Sequence, residues 1–142
     1  MKLTGALLII SMASTFTAYA DAPPPSKVEA IDQQRATCLE EHQDTAGTID
    51  CLDQAVAAYR AATRAILRSV QRDVPKPLRT KIIRGQNAWV RFDEAALEAW
   101  RATWTKDTGS AWGVDLTKEA ADRERGHLID FEDLALGAGA KL

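Results

Sequence analysis

The chain has 142 residues, of which 46% are hydrophobic and 27% charged, proportions that are typical of a globular protein. One domain is expected at this length, since neither a repeat nor a strand pattern points to a second. The formal net charge of −2 gives no reason to expect a nucleic-acid partner.

Residues 1–20 have the pattern of a secretory signal peptide. Lys2 precedes the apolar run Ala6-Leu7-Leu8-Ile9-Ile10, and the small residues Ala18-Tyr19-Ala20 match an A-x-A cleavage site. The apolar run is much shorter than the roughly 20 residues that cross a bilayer, which argues against a membrane anchor. We therefore expect a periplasmic or secreted protein that does not span the membrane once the signal is removed. A proline-rich leader over residues 21–26 should follow.

Two helices are predicted next. Ser26 begins a capping box of the form S-x-x-E, and the first helix should end at about His42. A short segment with a glycine then breaks the pattern. Thr48 is the predicted N-cap of a second helix, which runs to about Arg72.

The second and third helices are predicted to form a long antiparallel hairpin. Apolar residues recur every three or four positions along the second helix, from Ile49 to Val70. The third helix, Leu78–Trp104, has two adjacent apolar stripes, and Gly85 in one of them would admit close approach of a neighbour. Because the connecting turn is short, we expect the two helices to pack directly against each other.

A last helix is predicted after a loop that contains glycines. Asp115 or Thr117 would cap it, and it would end at about Leu136, leaving residues 137–142 as a flexible tail. The sequence thus predicts an all-α protein. Residues 27–136 would form a small helical bundle, built on the long hairpin with shorter N- and C-terminal helices.

The two cysteines, Cys38 and Cys51, are predicted to form a disulfide. Their positions near the end of one helix and the start of the next allow close approach, and export favours oxidation. Metal binding is the alternative, but two thiolates without nearby cysteine or histidine partners do not make a zinc site. We therefore expect a structural cross-link and no metal.

Few residues have the spacing of a catalytic or cofactor site. Neither His42 nor His127 belongs to a metal-binding pair, and no nucleophile elbow, phosphate-binding loop or CxxC motif is present in the sequence. Asp93 is either an acid with a raised pKa or the partner of an arginine such as Arg60, and we favour the ion pair. Trp112, in a glycine-flanked loop, is either a lid on the helix ends or an exposed contact. The chain is therefore predicted not to be an enzyme and to need no cofactor.

Charged residues form two clusters at opposite ends of the predicted hairpin. The first, here called the basic ridge, comprises Arg60, Arg64, Arg68, Arg72, Lys76, Arg79, Lys81 and Arg84. The second, the acidic corner, comprises Glu40, Glu41, Asp44, Asp50 and Asp53. Each cluster is either a solvated surface or a docking site for a charged partner. The residues predicted to bind a partner are Glu40, Glu41, Asp44, Arg64, Arg68, Arg72 and Trp112.

A Q-x-x-W motif stands in the middle of the third helix, in Gln86-Asn87-Ala88-Trp89-Val90. Together with other positions it resembles the pattern of the LprI-like family of lysozyme inhibitors, which are small exported proteins of bacterial envelopes. The other similar positions are Cys51, Tyr59, Leu78, Phe92, Gly109, Ser110, Arg125 and Leu128. Two features differ from that pattern. Asp93 stands where the family usually has an arginine, and the family's second cysteine pair is absent, with Ala95 and Ala96 where its first member is expected.

The resemblance implies a binding protein that inhibits lysozyme, a cationic glycosidase with two catalytic carboxylates in its cleft. The acidic corner would complement the basic surface of lysozyme or of another cell-wall glycosidase, or an arginine would enter the cleft and neutralise its carboxylates. The alternative is a structural or scaffold module of the cell envelope. In that case the basic ridge would contact anionic lipid or polysaccharide.

Overall fold

A computed structural model describes residues 26–104 and 111–142, which contain four helices. The helices are α1 (Lys27–Glu41), α2 (Thr45–Asp73), α3 (Lys76–Trp104) and α4 (Ala111–Gly137). All regular secondary structure in these two ranges is helical, which confirms the predicted all-α class. The predicted signal peptide, the leader up to residue 25 and the Gly109-Ser110 positions lie outside the described residues.

Side-chain caps and a glycine determine where α1 begins and where α2 follows it. Ser26 and Glu29 form the predicted capping box, because the N–H of Glu29 donates to the Ser26 hydroxyl and the Glu29 carboxylate accepts from the Ser26 N–H. Asp44, and not Thr48, is the N-cap of α2, and its carboxylate accepts the N–H of Gly47 at 2.9 Å. A Cβ at Gly47 would lie 2.7 Å from the Cβ of His42. The missing side chain therefore lets α2 begin directly beside the end of α1.

The central helix of the bundle is α2. It packs mainly against α4 and α1, and its apolar face is buried along most of its length. Tyr59, Ile66 and Val70 of α2 and Leu128 of α4 are among the largest fully buried side chains. Burying a side chain of this size stabilises a fold by about 1.5–3 kcal/mol. The core that holds the fold therefore lies between α1, α2 and α4.

The predicted direct packing of α2 against α3 is wrong. The two helices run in opposite directions, with Arg60 and Asp93 paired across them, but they contact each other only sparsely. Gly85 is exposed, and a Cβ there would meet nothing within 4 Å, so it mediates no close approach. The physical reason is that α3 and α4 compete for the apolar face of α2. Because α4 covers that face, α3 lies at the outside of the bundle and packs against it through buried residues such as Ile82.

The C-terminal helix is shorter than α2, as predicted, but by only two residues, since α4 has 27 residues against 29 in α2. It begins at Ala111, so neither Asp115 nor Thr117 caps it. Gly113 lies in its first turn, where a Cβ would be 3.2 Å from the Cδ1 of Ile49. A glycine inside a helix costs about 1 kcal/mol relative to alanine, but here it permits close packing of α4 on the start of α2.

The predicted flexible C-terminal tail is instead held against the bundle. Gly139 has a φ of 90°, which the residue after a helix end adopts readily only when it is glycine. The turn that it makes brings the N–H of Ala140 to the carbonyl of Ala135 at 2.9 Å, and Ala140 is buried. The N–H of Lys141 then donates to Asp73 at 3.0 Å, which ties the C-terminus to the end of α2.

Candidate functional site

A groove of about 550 Å³ separates α2 from α3. It is open because the two helices contact each other so sparsely, and its size falls within the roughly 300–1,000 Å³ of typical ligand sites. Arg60, Arg64 and Leu67 line it from α2, while Val90 and Leu97 line it from α3. This groove between two long helices is the first candidate site.

Two carboxylates lie buried at the base of the groove, Asp93 of α3 and Glu124 of α4, each only 3% exposed. The Nε and Nη2 atoms of Arg123 both lie 2.7 Å from Oδ1 of Asp93. Arg60 donates from Nε to Glu124, and its Nη2 lies 3.8 Å from Oδ2 of Asp93. We call these four residues the buried charge cluster. The predicted pairing of Asp93 with an arginine is confirmed, with Arg123 as a closer partner than Arg60.

Burial governs the protonation of Glu124. Removal from water raises the pKa of its carboxyl, while the hydrogen bond and the charge of Arg60 act in the opposite direction. Two arginines thus face two carboxylates in the buried charge cluster. The charges at the base of the groove therefore balance, and their ion pairs join α2, α3 and α4.

The Q-x-x-W motif of α3 contacts the side chain of His127 in α4. The Nε2 atom of His127 lies 2.8 Å from Oε1 of Gln86, and its ring stacks on Trp89 with centroids 3.6 Å apart. Burial lowers the pKa of His127 below its ordinary value, so the ring is neutral near pH 7. Sequence reasoning missed this role of His127, because its motif partners lie about forty positions away on another helix.

A second polar network joins α1, α2 and α4 around Asp32. The Tyr59 hydroxyl donates to Oδ1 of Asp32 at 2.5 Å, and Arg125 donates from Nε to Oδ2 at 2.8 Å. Burial, with the hydrogen bond to Asp32, raises the pKa of Tyr59 to about 12. The hydrogen bond from Arg125 lowers the pKa of Asp32. Two of the positions singled out by the family resemblance, Tyr59 and Arg125, therefore share one carboxylate that links three helices.

The remaining described motif positions lie in the core or on the surface. Cys51 and Leu128 are almost completely buried. Leu78 is 41% exposed at the start of α3, and Phe92 is 63% exposed, with the Arg123 guanidinium 5.5 Å from its ring centroid. The motif positions are thus distributed over the bundle and do not converge on one surface site.

The acidic corner is held in place by the predicted disulfide. Cys38 and Cys51 are bonded, with Cα atoms 5.7 Å apart. The bond cross-links α1 and α2, the helices on either side of the turn. All five carboxylates of the corner are exposed. The hydrogen bond from the Gly47 N–H lowers the pKa of Asp44, which acts as a helix cap. Within the described ranges, the other four carboxylates of the corner form no ion pair.

The basic ridge is less uniform than its sequence spacing indicates. Arg60 belongs to the buried charge cluster, and Arg72 pairs with Asp73 at 2.8 Å. Arg79 donates to the backbone carbonyl of Gln71. The ridge residues that are exposed and make no ion pair with any described residue are Arg64, Arg68, Lys76, Lys81 and Arg84.

The predicted loop position of Trp112 is wrong. Because α4 begins at Ala111, Trp112 lies in its first helical turn and is partly buried. Its indole Nε1 is buried and has no hydrogen-bond partner among the described residues. The side chain thus packs against the bundle near the start of α4 and is not presented from a loop.

No protein-family model, curated protein or solved structure matches this chain. Among the residues that the structure describes, the His, Cys, Asp and Glu side chains form no group of three that could hold a metal ion. No helix in the same ranges is both long enough and apolar enough to cross a membrane.

Proposed function

We propose that this chain is an exported binding protein of the bacterial periplasm that acts as a lysozyme inhibitor of the LprI-like type. The acidic corner carries the proposal. Four of its carboxylates, Glu40, Glu41, Asp50 and Asp53, are exposed and form no ion pair with any described residue. Such a surface complements a cationic glycosidase, and opposite charges accelerate the encounter of two proteins.

The disulfide supports this role because it restricts the conformation of the acidic corner before a partner binds. The Cys38–Cys51 bond joins the last turn of α1 to the first turns of α2, on which the carboxylates are carried. A surface that is already ordered loses less conformational entropy on binding than a flexible one. The corner is therefore suited to a stable electrostatic contact.

The proposed role is binding without catalysis. Asp93 and Glu124, the buried carboxylates among the residues that the structure describes, each form an ion pair with an arginine inside the bundle. A general acid or base needs a carboxyl that can exchange its proton with a substrate. We assign these two residues to the stability of the bundle.

A lysozyme turbidity assay with the purified protein tests the proposal. Wild-type protein should slow the clearing of a bacterial cell suspension, and added salt should weaken the effect. The variant Glu40→Lys/Glu41→Lys should reduce the inhibition. Asp44 is left unchanged because it caps α2, and its replacement would lower stability as well as charge.

The matched control is Glu98→Lys/Asp133→Lys, which makes the same change in net charge at exposed carboxylates outside the corner. This variant should inhibit as the wild type does. Equal loss of inhibition in both double variants would show that net charge, and not the corner, is responsible. Wild-type protein that leaves lysozyme unaffected at any concentration would overturn the proposal itself.

The unpaired part of the basic ridge favours a second candidate, a scaffold module on an anionic envelope surface. Arg64 and Arg68 are exposed on consecutive turns of α2, and each cation near an anionic membrane contributes about 1 kcal/mol. Arg64→Gln/Arg68→Gln should then abolish sedimentation with phosphatidylglycerol vesicles. The control Lys27→Gln/Arg91→Gln, at exposed positions away from the ridge, should sediment normally. Wild-type protein that stays in the supernatant would exclude this candidate.

A further inference from the structure

We propose that the groove between α2 and α3 binds a small amphipathic anion, with its acidic head at Arg64 and its linear apolar body along α3. This inference is independent of lysozyme inhibition, since it concerns a different face of the molecule from the acidic corner. It depends on the size of the groove, on the distribution of charge along it and on its apolar wall.

The end of the groove near Arg64 is free of carboxylates. Arg60 lies opposite Asp93, so in these antiparallel helices Arg64, one turn further along α2, lies opposite the turn of α3 around Trp89 and Val90. The lining side chains at this end are all neutral or cationic. They are Thr63, Arg64, Leu67, Gln86, Asn87, Trp89 and Val90.

Hydrogen-bond donors are available at the same end. The Arg64 guanidinium is exposed and forms no ion pair with a described residue. Gln86 uses its Oε1 to pair with Nε2 of His127, which leaves the two N–H groups of its amide as donors. Asn87 adds a second amide to the lining. A guanidinium with neighbouring amide donors is a suitable site for a carboxylate or phosphate head.

The α3 side of the groove offers an apolar wall that begins at the Arg64 end. Val90 and Leu97 lie on one face of α3, two turns apart, which places them about 10 Å from each other along the helix. Val90 is 38% exposed although it faces the groove, so a ligand would cover apolar surface that now contacts water. This length suits a linear chain of medium size.

The charges in the groove favour an anion over a cation. Asp93 and Glu124 are already paired with Arg123 and Arg60, so they do not attract a cationic ligand strongly. Of the other charged side chains that line the groove, Arg64 and Arg101 are cationic and only Glu94 is anionic. The excess of positive charge, together with the carboxylate-free end at Arg64, selects the sign of the head group.

Isothermal titration calorimetry with decanoate, below its micelle-forming concentration, tests the inference. Decanoate should bind with one-to-one stoichiometry, whereas decyltrimethylammonium, which has the same chain and the opposite charge, should not. Acetate, which has the head without the chain, should bind at least about tenfold more weakly than decanoate. Decyl phosphate in a parallel titration distinguishes a phosphate head from a carboxylate head.

Two matched variants locate the site. Arg64→Gln should weaken decanoate binding at least about tenfold, because a charge-assisted hydrogen bond is lost. Arg68→Gln removes the next arginine of the ridge, which is exposed but does not line the groove, and should bind as the wild type does. Circular dichroism checks that both variants are folded. Failure of decanoate to bind, equal binding of the cationic amphiphile, or equal weakening by the two substitutions would each overturn the inference.

Discussion

The indole of Trp89 lies flat against the imidazole of His127, with ring centroids 3.6 Å apart and planes 7° from parallel. His127 in turn pairs with Gln86 and has Phe131 at a centroid distance of 5.7 Å. One histidine of α4 thus holds both named positions of the Q-x-x-W motif of α3. Because α3 has few other contacts with the bundle, this stack is a main attachment of the helix.

Trp89→Ala should lower the free energy of unfolding by about 2–3 kcal/mol, measured by urea denaturation. This is less than the roughly 3–5 kcal/mol of a large side chain in a closed core, because Trp89 is only half-buried. Phe92→Ala is the control, since Phe92 is 63% exposed and should lose less than about 1 kcal/mol. Equal losses in the two variants would contradict the attachment of α3 through Trp89.

Stability should fall in mildly acidic solution because of His127. Burial lowers the pKa of this group below its ordinary value of 6.5 in the folded protein. At a pH just under 6.5 the unfolded chain therefore binds a proton that the folded protein does not. The contribution of His127 to the free energy of unfolding should be constant above about pH 7 and decrease as the pH falls through 6.5.

Urea denaturation at a series of pH values measures this dependence. The variant His127→Gln should lose the decrease that begins below pH 6.5, while His42→Gln, which removes the exposed histidine, should retain it. An unchanged slope in His127→Gln would assign the decrease to other groups.

Asp93→Asn should lower the free energy of unfolding by about 2–3 kcal/mol, because it leaves Arg123 without its charged partner beside a buried surface. The neighbouring exposed carboxylate supplies the control, and Glu94→Gln should change stability by less than about 0.5 kcal/mol. A double-mutant cycle with Arg123→Met isolates the pair itself. The absence of coupling between the two substitutions would show that the ion pair contributes nothing to stability.

Tyr59 should resist ionisation until about pH 12, as followed by the ultraviolet absorbance of tyrosinate in the folded protein. Its pKa is raised above the ordinary 10.0, so between these values the folded protein retains a proton that the unfolded chain releases. The stability contributed by Tyr59 is therefore complete below pH 10 and decreases as the pH rises from 10 to 12. Tyr59→Phe should lack this decrease. Ionisation of Tyr59 near pH 10 in the folded state would contradict the buried network.

The Cys38–Cys51 bond joins residues separated by 13 positions, and closing a loop of that length stabilises the folded state by about 3 kcal/mol in chain-entropy estimates. The double variant Cys38→Ser/Cys51→Ser should therefore unfold at a lower urea concentration. Intact mass measurement of the unreduced wild-type protein should detect no free thiol. Two free thiols would exclude the cross-link in the protein as it is made.

Features that depend on near neighbours in the chain were predictable. The capping box at Ser26 and Glu29, the ends of α3 within two residues and the Cys38–Cys51 bond all involve groups separated by few residues or by one turn. Helical periodicity also identified the apolar face of α2 from Ile49 to Val70. Such features have few conformational alternatives, so the local sequence determines them.

The choice of neighbour for each helix was not predictable. Both apolar stripes of α3 have a spacing that suits packing on α2, but α4 occupies the apolar face of α2 instead. The length of α4 was not predictable because Gly113 by itself disfavours a helix. In the structure this glycine lies inside α4, beside Ile49 of α2. The ordered C-terminus was not predictable from Gly139 either. The turn at this glycine is stabilised by the burial of Ala140, which only the folded structure shows.

The sequence by itself therefore determined that this protein is helical, where three of its helices lie and which cysteines are joined. Only the tertiary structure decided that α3 stands apart from α2, because helices compete for one apolar face and the outcome depends on all of them together. The same packing brought Arg123, Glu124 and His127 of α4 to partners 30 or more positions away. Neither the buried charge cluster nor the groove above it has a signature in the spacing of any single helix.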